Sequence, residues 1–167
     1  MHCNISLTEE EKVRYSRQIR LPEIGEEGQL LLKSSSVLVI GAGALGCSVL
    51  QYLTAAGVGT LGIMDNDWVD ESNLQRQILY DIHDISKPKP LAAKEKLERL
   101  NPNVSFRTYF IRLNKENALN IIKDYDIIVD CTDNFGSRYL INDACIILNK
   151  PWVYGAKNGQ IDHLTPD

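Results

Sequence analysis

A glycine-rich segment is the part of this sequence whose residue types and spacing are best suited to chemistry. Gly41, Gly43 and Gly46 match the pattern G-x-G-x-x-G, with Ala44 inside it. In such a motif the first glycine permits a tight turn, the second lets phosphate approach the backbone, and the third lets a helix pack closely on a strand. Between a strand and a helix the motif predicts a nucleotide site. The alternative is a glycine turn that serves packing alone.

Polar and positive side chains downstream narrow the nucleotide to a triphosphate. Asn73 and Gln77 can donate hydrogen bonds to phosphate oxygens, and Arg76 and Lys89 follow in the loop region expected over the site. A helix N-terminus alone can hold a pyrophosphate, whereas a reacting triphosphate needs cations for its β- and γ-phosphates. The alternative for Arg76 and Lys89 is that they are solvated surface charges.

Three acidic residues follow predicted strands. Asp65 lies roughly 20 residues after the glycine motif, where a carboxylate can accept hydrogen bonds from ribose hydroxyls. Asp67 either caps the next turn or lies near the phosphates. Asp133 is placed to bind Mg²⁺ that bridges phosphates, or else it caps a helix, a role that Asn134 could also fill.

Alternating strands and helices must position these residues. Strands are predicted at 37–40, where the apolar run is continuous and β-branched, and at 61–64, 104–110, 126–130 and 152–154. Capped or amphipathic segments predict helices at 8–20, 26–34, 45–56, 90–100, 114–123 and 134–148. This order predicts an α/β fold, a Rossmann-like doubly wound and mainly parallel sheet with a helical N-terminal extension. Ligands of such sheets bind at the carboxyl ends of the strands, where the glycine motif, Asp65 and Asp133 all fall.

The 167 residues are enough for one domain with a substantial core. We predict a helical extension over 1–34, a nucleotide-binding domain over 35–160 and a loosely ordered tail over 161–167. The net charge of −4 argues against nucleic-acid binding. The sequence contains neither an apolar run long enough for a membrane helix nor a signal-peptide pattern. Four widely spaced cysteines without a C-x-x-C pair predict no disulfide framework, no zinc site and a cytoplasmic location.

Several short motifs, from about residue 8 to residue 160, form a more specific signature than any one of them. They are Arg14–Ile19, the glycine motif, Ala56–Gly59, Ser72–Gln77, Pro88–Lys89, Asn101–Pro102 and Asp130–Asn134. This set resembles the ThiF/MoeB/HesA family, adenylating enzymes related to the ubiquitin-activating enzymes.

The resemblance implies a nucleotidyltransferase that adenylates the C-terminal Gly-Gly carboxylate of a ubiquitin-like sulfur-carrier protein, in a thiamin or molybdopterin type pathway. ATP and Mg²⁺ would be consumed and pyrophosphate released. By resemblance, Asp65 binds ribose and Asp133 binds Mg²⁺ at the reaction centre. Arg17 would reach the phosphates of the neighbouring subunit in a homodimer. The phosphates of the chain's own site would contact Asn73, Arg76, Gln77 and Lys89.

Two departures from the family pattern affect these expectations. Ala44 replaces a further glycine, and its small methyl group should be tolerated. Family members usually continue with two C-x-x-C zinc pairs, a crossover loop and the rest of the sheet, so we expect a C-terminally truncated copy or a fragment. Two alternatives follow, namely a non-catalytic nucleotide-binding module of this family and an NAD-dependent oxidoreductase. The oxidoreductase leaves Arg76, Lys89 and Asp133 unexplained.

Overall fold

The computed structural model describes residues 6–155 and the backbone of residues 161–164. Its centre is a six-stranded sheet in the order β3-β2-β1-β4-β5-β6. The strands are β1 Ser36–Ile40, β2 Thr60–Met64, β3 Ser105–Tyr109, β4 Ile127–Asp130, β5 Trp152–Gly155 and β6 Ile161–Leu164. All neighbouring pairs are parallel except β5 with β6. The order reverses at β1, which pairs with β2 on one side and β4 on the other.

Helices cover both faces of this sheet. They are α1 Glu9–Arg14, α2 Ser16–Ile19, α3 Gly25–Ser34, α4 Ala44–Ala56, α5 Lys89–Leu100, α6 Ala118–Ile122 and α7 Phe135–Leu148. Alternate residues of β1 point to opposite faces, as the pleat requires. Val37 and Val39 join a core cluster with residues of α4 and α5, whereas Leu38 and Ile40 join a cluster with residues of α6 and α7. The predicted α/β doubly wound fold is therefore confirmed.

The predicted helix over 8–20 is interrupted in its middle. Its start is as predicted, because Thr8 and Glu11 form a capping box. At Tyr15, however, the backbone leaves the helical region, with φ −97° and ψ 10°, and divides the segment into α1 and α2. The Tyr15 side chain is buried, and its hydroxyl accepts a hydrogen bond from Asn101 Nδ2 at 2.8 Å. The break thus coincides with a tyrosine that is anchored in the protein interior.

The predicted helix over 114–123 begins only at Ala118. Asn114 Oδ1 accepts hydrogen bonds from the backbone N–H groups of Glu116 and Asn117, and Asn117 Oδ1 accepts one from the N–H of Asn114. Asparagine side chains compete in this way with the helical hydrogen bonds of the backbone. They hold the first residues of the segment in turns.

The sequence predicts a loosely ordered tail over 161–167, and the structure describes the backbone of its first four residues. Residues 161–164 form β6, which pairs antiparallel with β5 from Gly155↔Ile161 to Trp152↔Leu164. Without this partner β5 would present a row of unpaired backbone groups, and pairing satisfies them. The rest of the tail lies outside the described residues. Helix α3 ends at Ser34 and β1 begins at Ser36, where the sequence places a domain boundary, and the domain division itself stays a prediction.

Candidate active site

A cavity of about 890 Å³ opens at the carboxyl ends of the parallel strands. Its lining includes ten of the residues selected from the sequence: Gly41, Gly43, Ala44, Asp65, Asp67, Asn73, Arg76, Gln77, Lys89 and Asp133. Gly41 and Asp133, which are 92 positions apart in the sequence, therefore line the same cavity. Gly46 and Arg17 are the two selected residues that do not line it.

The glycine motif forms the floor of the cavity. Gly41 has a φ of +96°, and a Cβ placed on it would lie 2.8 Å from the carbonyl oxygen of Cys131. A Cβ on Gly46 would lie 1.9 Å from the carbonyl oxygen of Gly41, so this glycine serves packing beneath the floor. Above Gly43 the space is open, since Gln77 Nε2 at 3.9 Å is the nearest atom to a Cβ built there.

Helix α4 starts directly after Gly43, and no described side chain caps it. The first N–H groups of an α-helix lack partners within the helix, and the helix dipole makes its N-terminus attractive to anions. The open space above Gly43 and the N-terminus of this uncapped helix of 13 residues together fit a phosphate group. We call this part of the floor the phosphate cradle. The floor therefore meets the steric and electrostatic needs of a nucleotide phosphate.

Asp65 connects the glycine motif of the floor to the segment that begins at Asp67. Its Oδ2 accepts a hydrogen bond from the N–H of Ala42 at 2.7 Å, and its Oδ1 accepts one from the N–H of Asp67 at 2.8 Å. A carboxylate has about four lone-pair positions, so two remain for a ligand hydroxyl. Tyr80 supports the same loop from below, because its buried hydroxyl donates to the carbonyl oxygen of Ala42 at 2.9 Å. Burial raises the pKa of Tyr80, which keeps the hydroxyl protonated as a donor.

Lys89 stands at the start of α5 and points its ammonium group toward Asp67. Lys89 Nζ lies 3.0 Å from Asp67 Oδ2, and Lys89 N–H donates to the carbonyl oxygen of Asp67. Lys89 is buried, whereas the Asp67 side chain is 64% exposed. The next turn is capped by Asp70, which accepts from the N–H of Ser72. Asp67 therefore does not cap this turn, and its place near the phosphates stays a prediction.

Asn73, Arg76 and Gln77 form a hydrogen-bonded group. Asn73 Oδ1 accepts from Arg76 Nη2 at 2.9 Å and from Gln77 Nε2 at 3.2 Å. Arg76 Nη1 also donates to the carbonyl oxygen of Ser72 at 3.3 Å. Gln77 is buried, and its Oε1 has no described partner. We call the group of Asn73, Arg76, Gln77 and Lys89 the cationic wall.

The opposite side, which we call the β4–α7 wall, comprises Asp130 at the end of β4, the loop from Cys131 to Asn134 and the first turns of α7. Asn134 caps α7, since its side chain accepts from the N–H of Ser137 at 2.9 Å. This excludes the alternative role of Asp133 as the cap. Asp133 is exposed and makes no described side-chain hydrogen bond. The part of the chain that the structure describes contains no group of three or more potential metal ligands. A Mg²⁺ ion here would need Asp133 together with phosphate oxygens, which is how Mg²⁺ is commonly held.

Sequence reasoning did not predict the contacts of three residues of the β4–α7 wall, and for Arg138 the sequence suggests either a carboxylate partner or a solvated helix face. Asp130 is fully buried, and its Oδ1 accepts from both the N–H and the hydroxyl of Thr132 at 2.8 and 2.7 Å. Burial raises the pKa of Asp130, and the Thr132 bonds and the charge of Arg138 oppose that rise. Arg138 donates to the carbonyl oxygens of Thr132 and Gly155 at 3.2 and 3.3 Å. The D-x-T spacing is a signal for the first contact, whereas carbonyl targets carry no signal in the sequence.

Arg17 lies outside this cavity. It is exposed on α2, whose next residue, Gln18, donates to the carbonyl oxygen of Ala56 at 2.9 Å. Gln29 of α3 donates to the same oxygen, so the N-terminal helices are attached to the carboxyl end of α4. The contact of Arg17 with a neighbouring subunit stays a prediction.

Comparison with known proteins gives consistent matches. The profile of the ThiF family matches residues 15–165. The sulfur carrier protein adenylyltransferase of Thermus thermophilus is 54% identical over 149 residues, which cover 89% of this chain and 55% of that protein. The probable molybdopterin-synthase adenylyltransferase of Porphyra purpurea is 53% identical over 88% of this chain and 38% of its own length. This chain thus spans about half or less of the length of these curated relatives.

A solved structure agrees with the sequence matches. Escherichia coli MccB with ATP superimposes with a TM-score of 0.77 at 28% identity, over 86% of this chain and 44% of that protein.

No helix among the described residues is long and apolar enough to cross a membrane.

Proposed function

This chain belongs to the ThiF family, and from that premise we propose that it is an ATP-dependent adenylyltransferase. Its substrate would be the C-terminal carboxylate of a ubiquitin-like sulfur-carrier protein, in a thiamin or molybdopterin type pathway. The observation that carries the proposal is the single cavity whose lining combines the cationic wall, Asp133 and the open space above Gly43. The names of the two relatives support this substrate class.

The proposed chemistry requires positioning more than proton transfer. A terminal carboxylate has a pKa of roughly 3.5 and is already anionic at pH 7. One of its oxygens attacks the α-phosphorus of ATP, and the bond from that phosphorus to the oxygen bridging to the β-phosphate breaks. Pyrophosphate leaves with the electron pair. The obstacle is the approach of an anion to a polyanion, which cations can offset.

Each part of the cavity has a role in this proposal. The floor at Gly43 and the N-terminus of α4 hold phosphate through backbone N–H groups. The free lone pairs of Asp65 accept hydrogen bonds from ribose. Arg76 and Lys89 neutralise the β- and γ-phosphates, and Asp133 holds Mg²⁺. When bound, Mg²⁺ supplies further neutralisation of the phosphate charge.

A homodimer and a cytoplasmic location complete the proposal. Arg17 is exposed on an anchored helix but does not line the chain's own cavity, which supports a role in the cavity of a second copy. Cys47, Cys131 and Cys145 are free thiols, which suits a reducing compartment.

The direct test is carrier-dependent exchange of labelled pyrophosphate into ATP. A purified ubiquitin-like sulfur carrier that ends in Gly-Gly should support exchange, and the same carrier without its last two residues should not. ATP binding without exchange by any such carrier would instead indicate a non-catalytic nucleotide-binding module. Tighter binding of NAD than of Mg-ATP would point to an oxidoreductase.

A variant at Arg76 tests the assignment of the phosphates. We expect Arg76→Ala to weaken ATP binding about tenfold and AMP binding less than about threefold, because only ATP carries β- and γ-phosphates. Calorimetric titration measures both affinities. Arg99→Ala, which removes an exposed arginine of α5 outside the cavity, is the matched control. Equal losses for ATP and AMP would contradict the role of Arg76.

A further inference from the structure

Thr132 is the most completely restrained residue of the β4–α7 wall. Its N–H and its hydroxyl both donate to Asp130 Oδ1, and its carbonyl oxygen accepts from Arg138 Nη2. Every polar group of this residue is therefore engaged by one of two side chains, Asp130 or Arg138. Asp133, the next residue, has no comparable restraint on its side chain among the described contacts. The position of Asp133 depends on the backbone that Thr132 fixes.

Restraining Thr132 through Asp130 is energetically unfavourable in itself, because it requires a buried carboxyl group. Its side chain is fully buried, only its Oδ1 has partners, and its Oδ2 has no described partner. Burial of a carboxylate is unfavourable unless hydrogen bonds or charges compensate for it, and an apolar side chain of similar size is often at least as stabilising. Fold stability alone therefore does not explain a carboxylate at this position. Both of its described hydrogen bonds go to Thr132.

Arg138 completes the restraint from α7. One of its nitrogens, Nη2, bridges the carbonyl oxygens of Thr132, in the loop after β4, and Gly155, at the end of the neighbouring strand β5. Its guanidinium lies 5.3 Å from the ring centre of Tyr154 and 5.8 Å from that of Phe135. Cation–π contacts of this kind keep an arginine in place without a carboxylate partner. The arginine is thus fixed to the end of β5 while it holds the loop after β4.

The restrained loop also touches the phosphate cradle. A Cβ on Gly41 would lie 2.8 Å from the carbonyl oxygen of Cys131 and 3.2 Å from the nitrogen of Thr132. The backbone around Thr132 therefore rests directly on the first glycine of the floor. A displacement of this loop would move Asp133 relative to the cradle.

We propose that Asp130, Thr132 and Arg138 form a clamp that positions Asp133 against the phosphate cradle. None of the three needs to touch the reacting atoms, so they are positioning residues. This inference rests on the proposed function for the role of Asp133, whereas the clamp itself is a property of the nucleotide-free protein. Misplacement of a reacting group by about 1 Å can lower a rate about 100-fold. The clamp therefore acts on the rate of adenylation more than on the affinity for ATP.

The test uses the full chain and a pair of substitutions at one position. Thr132→Val removes the hydroxyl that donates to Asp130 and keeps the branched shape, whereas Thr132→Ser keeps the hydroxyl. Arg138→Met removes the bridge to the two carbonyl oxygens. Ile141→Val is the matched control, because it loosens the buried side of α7 without changing any clamp residue.

Three measurements apply to each variant: amide hydrogen exchange of the nucleotide-free protein, ATP affinity with and without Mg²⁺, and the kinetics of adenylation. We expect Thr132→Val and Arg138→Met to speed exchange at 132–133 about tenfold. Their affinity for metal-free ATP should change less than about threefold, while the gain in affinity from Mg²⁺ falls. We expect kcat to fall about 10- to 100-fold, and the KM for Mg-ATP to rise by no more than the lost contribution of Mg²⁺ to ATP affinity. Thr132→Ser should resemble the unmodified chain.

Two kinds of result overturn the clamp. One is that Thr132→Val leaves both the amide hydrogen exchange rate at 132–133 and the effect of Mg²⁺ on ATP affinity unchanged. The other is that Ile141→Val reproduces the losses, which would make them a general effect of loosening α7. If the unmodified chain neither binds ATP nor catalyses exchange of pyrophosphate, the proposed function fails, and amide exchange still decides whether the clamp holds the loop. If the chain is active and Thr132→Val keeps its full kcat, the clamp fails alone.

Discussion

The cationic wall and the β4–α7 wall hold their charged groups in different ways. Lys89 has Asp67 beside its ammonium group, and Arg76 has Asn73 Oδ1 and a backbone carbonyl beside its guanidinium. Asp133 has no such described partner and is positioned through its neighbour Thr132. The cations are thus restrained through their own side chains, whereas the acid is restrained through the backbone.

This difference has an energetic reason. Long side chains lose up to about 2 kcal/mol of rotamer entropy when they are fixed, and a partner already present in the empty site offsets part of that loss before a ligand arrives. Aspartate is short, so fixing its backbone restricts most of its freedom. A partner on its carboxylate would also compete with a metal ion. The two walls therefore suit the side chains that they carry.

The contact between the β4–α7 wall and the floor at Gly41 should be the most sensitive to substitution. Gly41→Ala combines an unfavourable positive φ with a clash at the carbonyl oxygen of Cys131. We expect it to lower the free energy of unfolding by about 2–5 kcal/mol. Gly43→Ala should cost about 1 kcal/mol or less, because its Cβ meets open space, but should weaken ATP binding. Urea denaturation and ATP titration of both variants check this contrast. Similar stabilities for the two variants would contradict the close contact at Gly41.

The unpartnered carboxylate should matter for turnover and little for stability. We expect Asp133→Asn to lower the Mg²⁺-dependent adenylation rate about 100-fold and to change the free energy of unfolding by less than about 0.5 kcal/mol. Asn134→Ala removes the true cap and should cost about 1 kcal/mol of stability. Rate assays and thermal melts of the two variants distinguish the roles. Normal turnover in Asp133→Asn would leave this residue without a function in the cavity.

The two residues of the ion pair between Lys89 and Asp67 should contribute unequally to ATP affinity. Lys89→Met removes a buried cation and should weaken ATP binding about tenfold, equivalent to about 1.4 kcal/mol. Asp67→Asn removes a carboxylate that is 64% exposed and should change ATP affinity less than about threefold, because solvent screens its charge and the asparagine oxygen can still accept from Lys89 Nζ. Parallel calorimetric titrations measure both effects. If the Asp67 variant loses as much affinity as the Lys89 variant, then Asp67 itself takes part in binding.

The smallest expected effect is a pH dependence that belongs to the β4–α7 wall alone. Burial raises the pKa of Asp130 above its unfolded value, so the folded protein holds this proton more tightly. Its contribution to stability is present below the unfolded pKa and is lost as pH rises through the folded pKa. Arg138 is the nearby cation, and the thiols of Cys131 and Cys145, whose pKa values burial raises to about 12, stay neutral.

Asp130→Asn isolates this contribution. We expect the stability of the variant, relative to the unmodified chain, to be highest near pH 7 and to decline as pH falls toward 4. Carboxylates whose pKa is lowered, such as Asp126, occur in both proteins and cancel in the difference. Denaturation curves at several pH values measure the trend. A difference that is constant with pH would show that Asp130 does not titrate with folding.

Most of the fold and of the cationic wall could be predicted from the sequence, because both depend on patterns that are local or periodic. Buried strands have apolar runs such as 37–40, and the glycine motif fixes where a strand meets a helix. Tyr15 shows where this reasoning ends, since the break in the helix coincides with a residue whose hydroxyl contacts Asn101, which is distant in sequence. Arg138 is a similar case, because its targets are carbonyl oxygens that every residue possesses.

The hydrogen bonds of Asp65 have a consequence for the speed of ligand association. One carboxylate joins the backbone of Ala42 to that of Asp67, and Asp67 in turn is bonded to both the backbone and the side chain of Lys89. The floor and the start of α5 therefore form one connected surface before any ligand arrives. Binding that needs no prior ordering proceeds at a rate set by diffusion and orientation. We expect a single exponential phase in stopped-flow mixing with nucleotide, with a rate that rises linearly with nucleotide concentration.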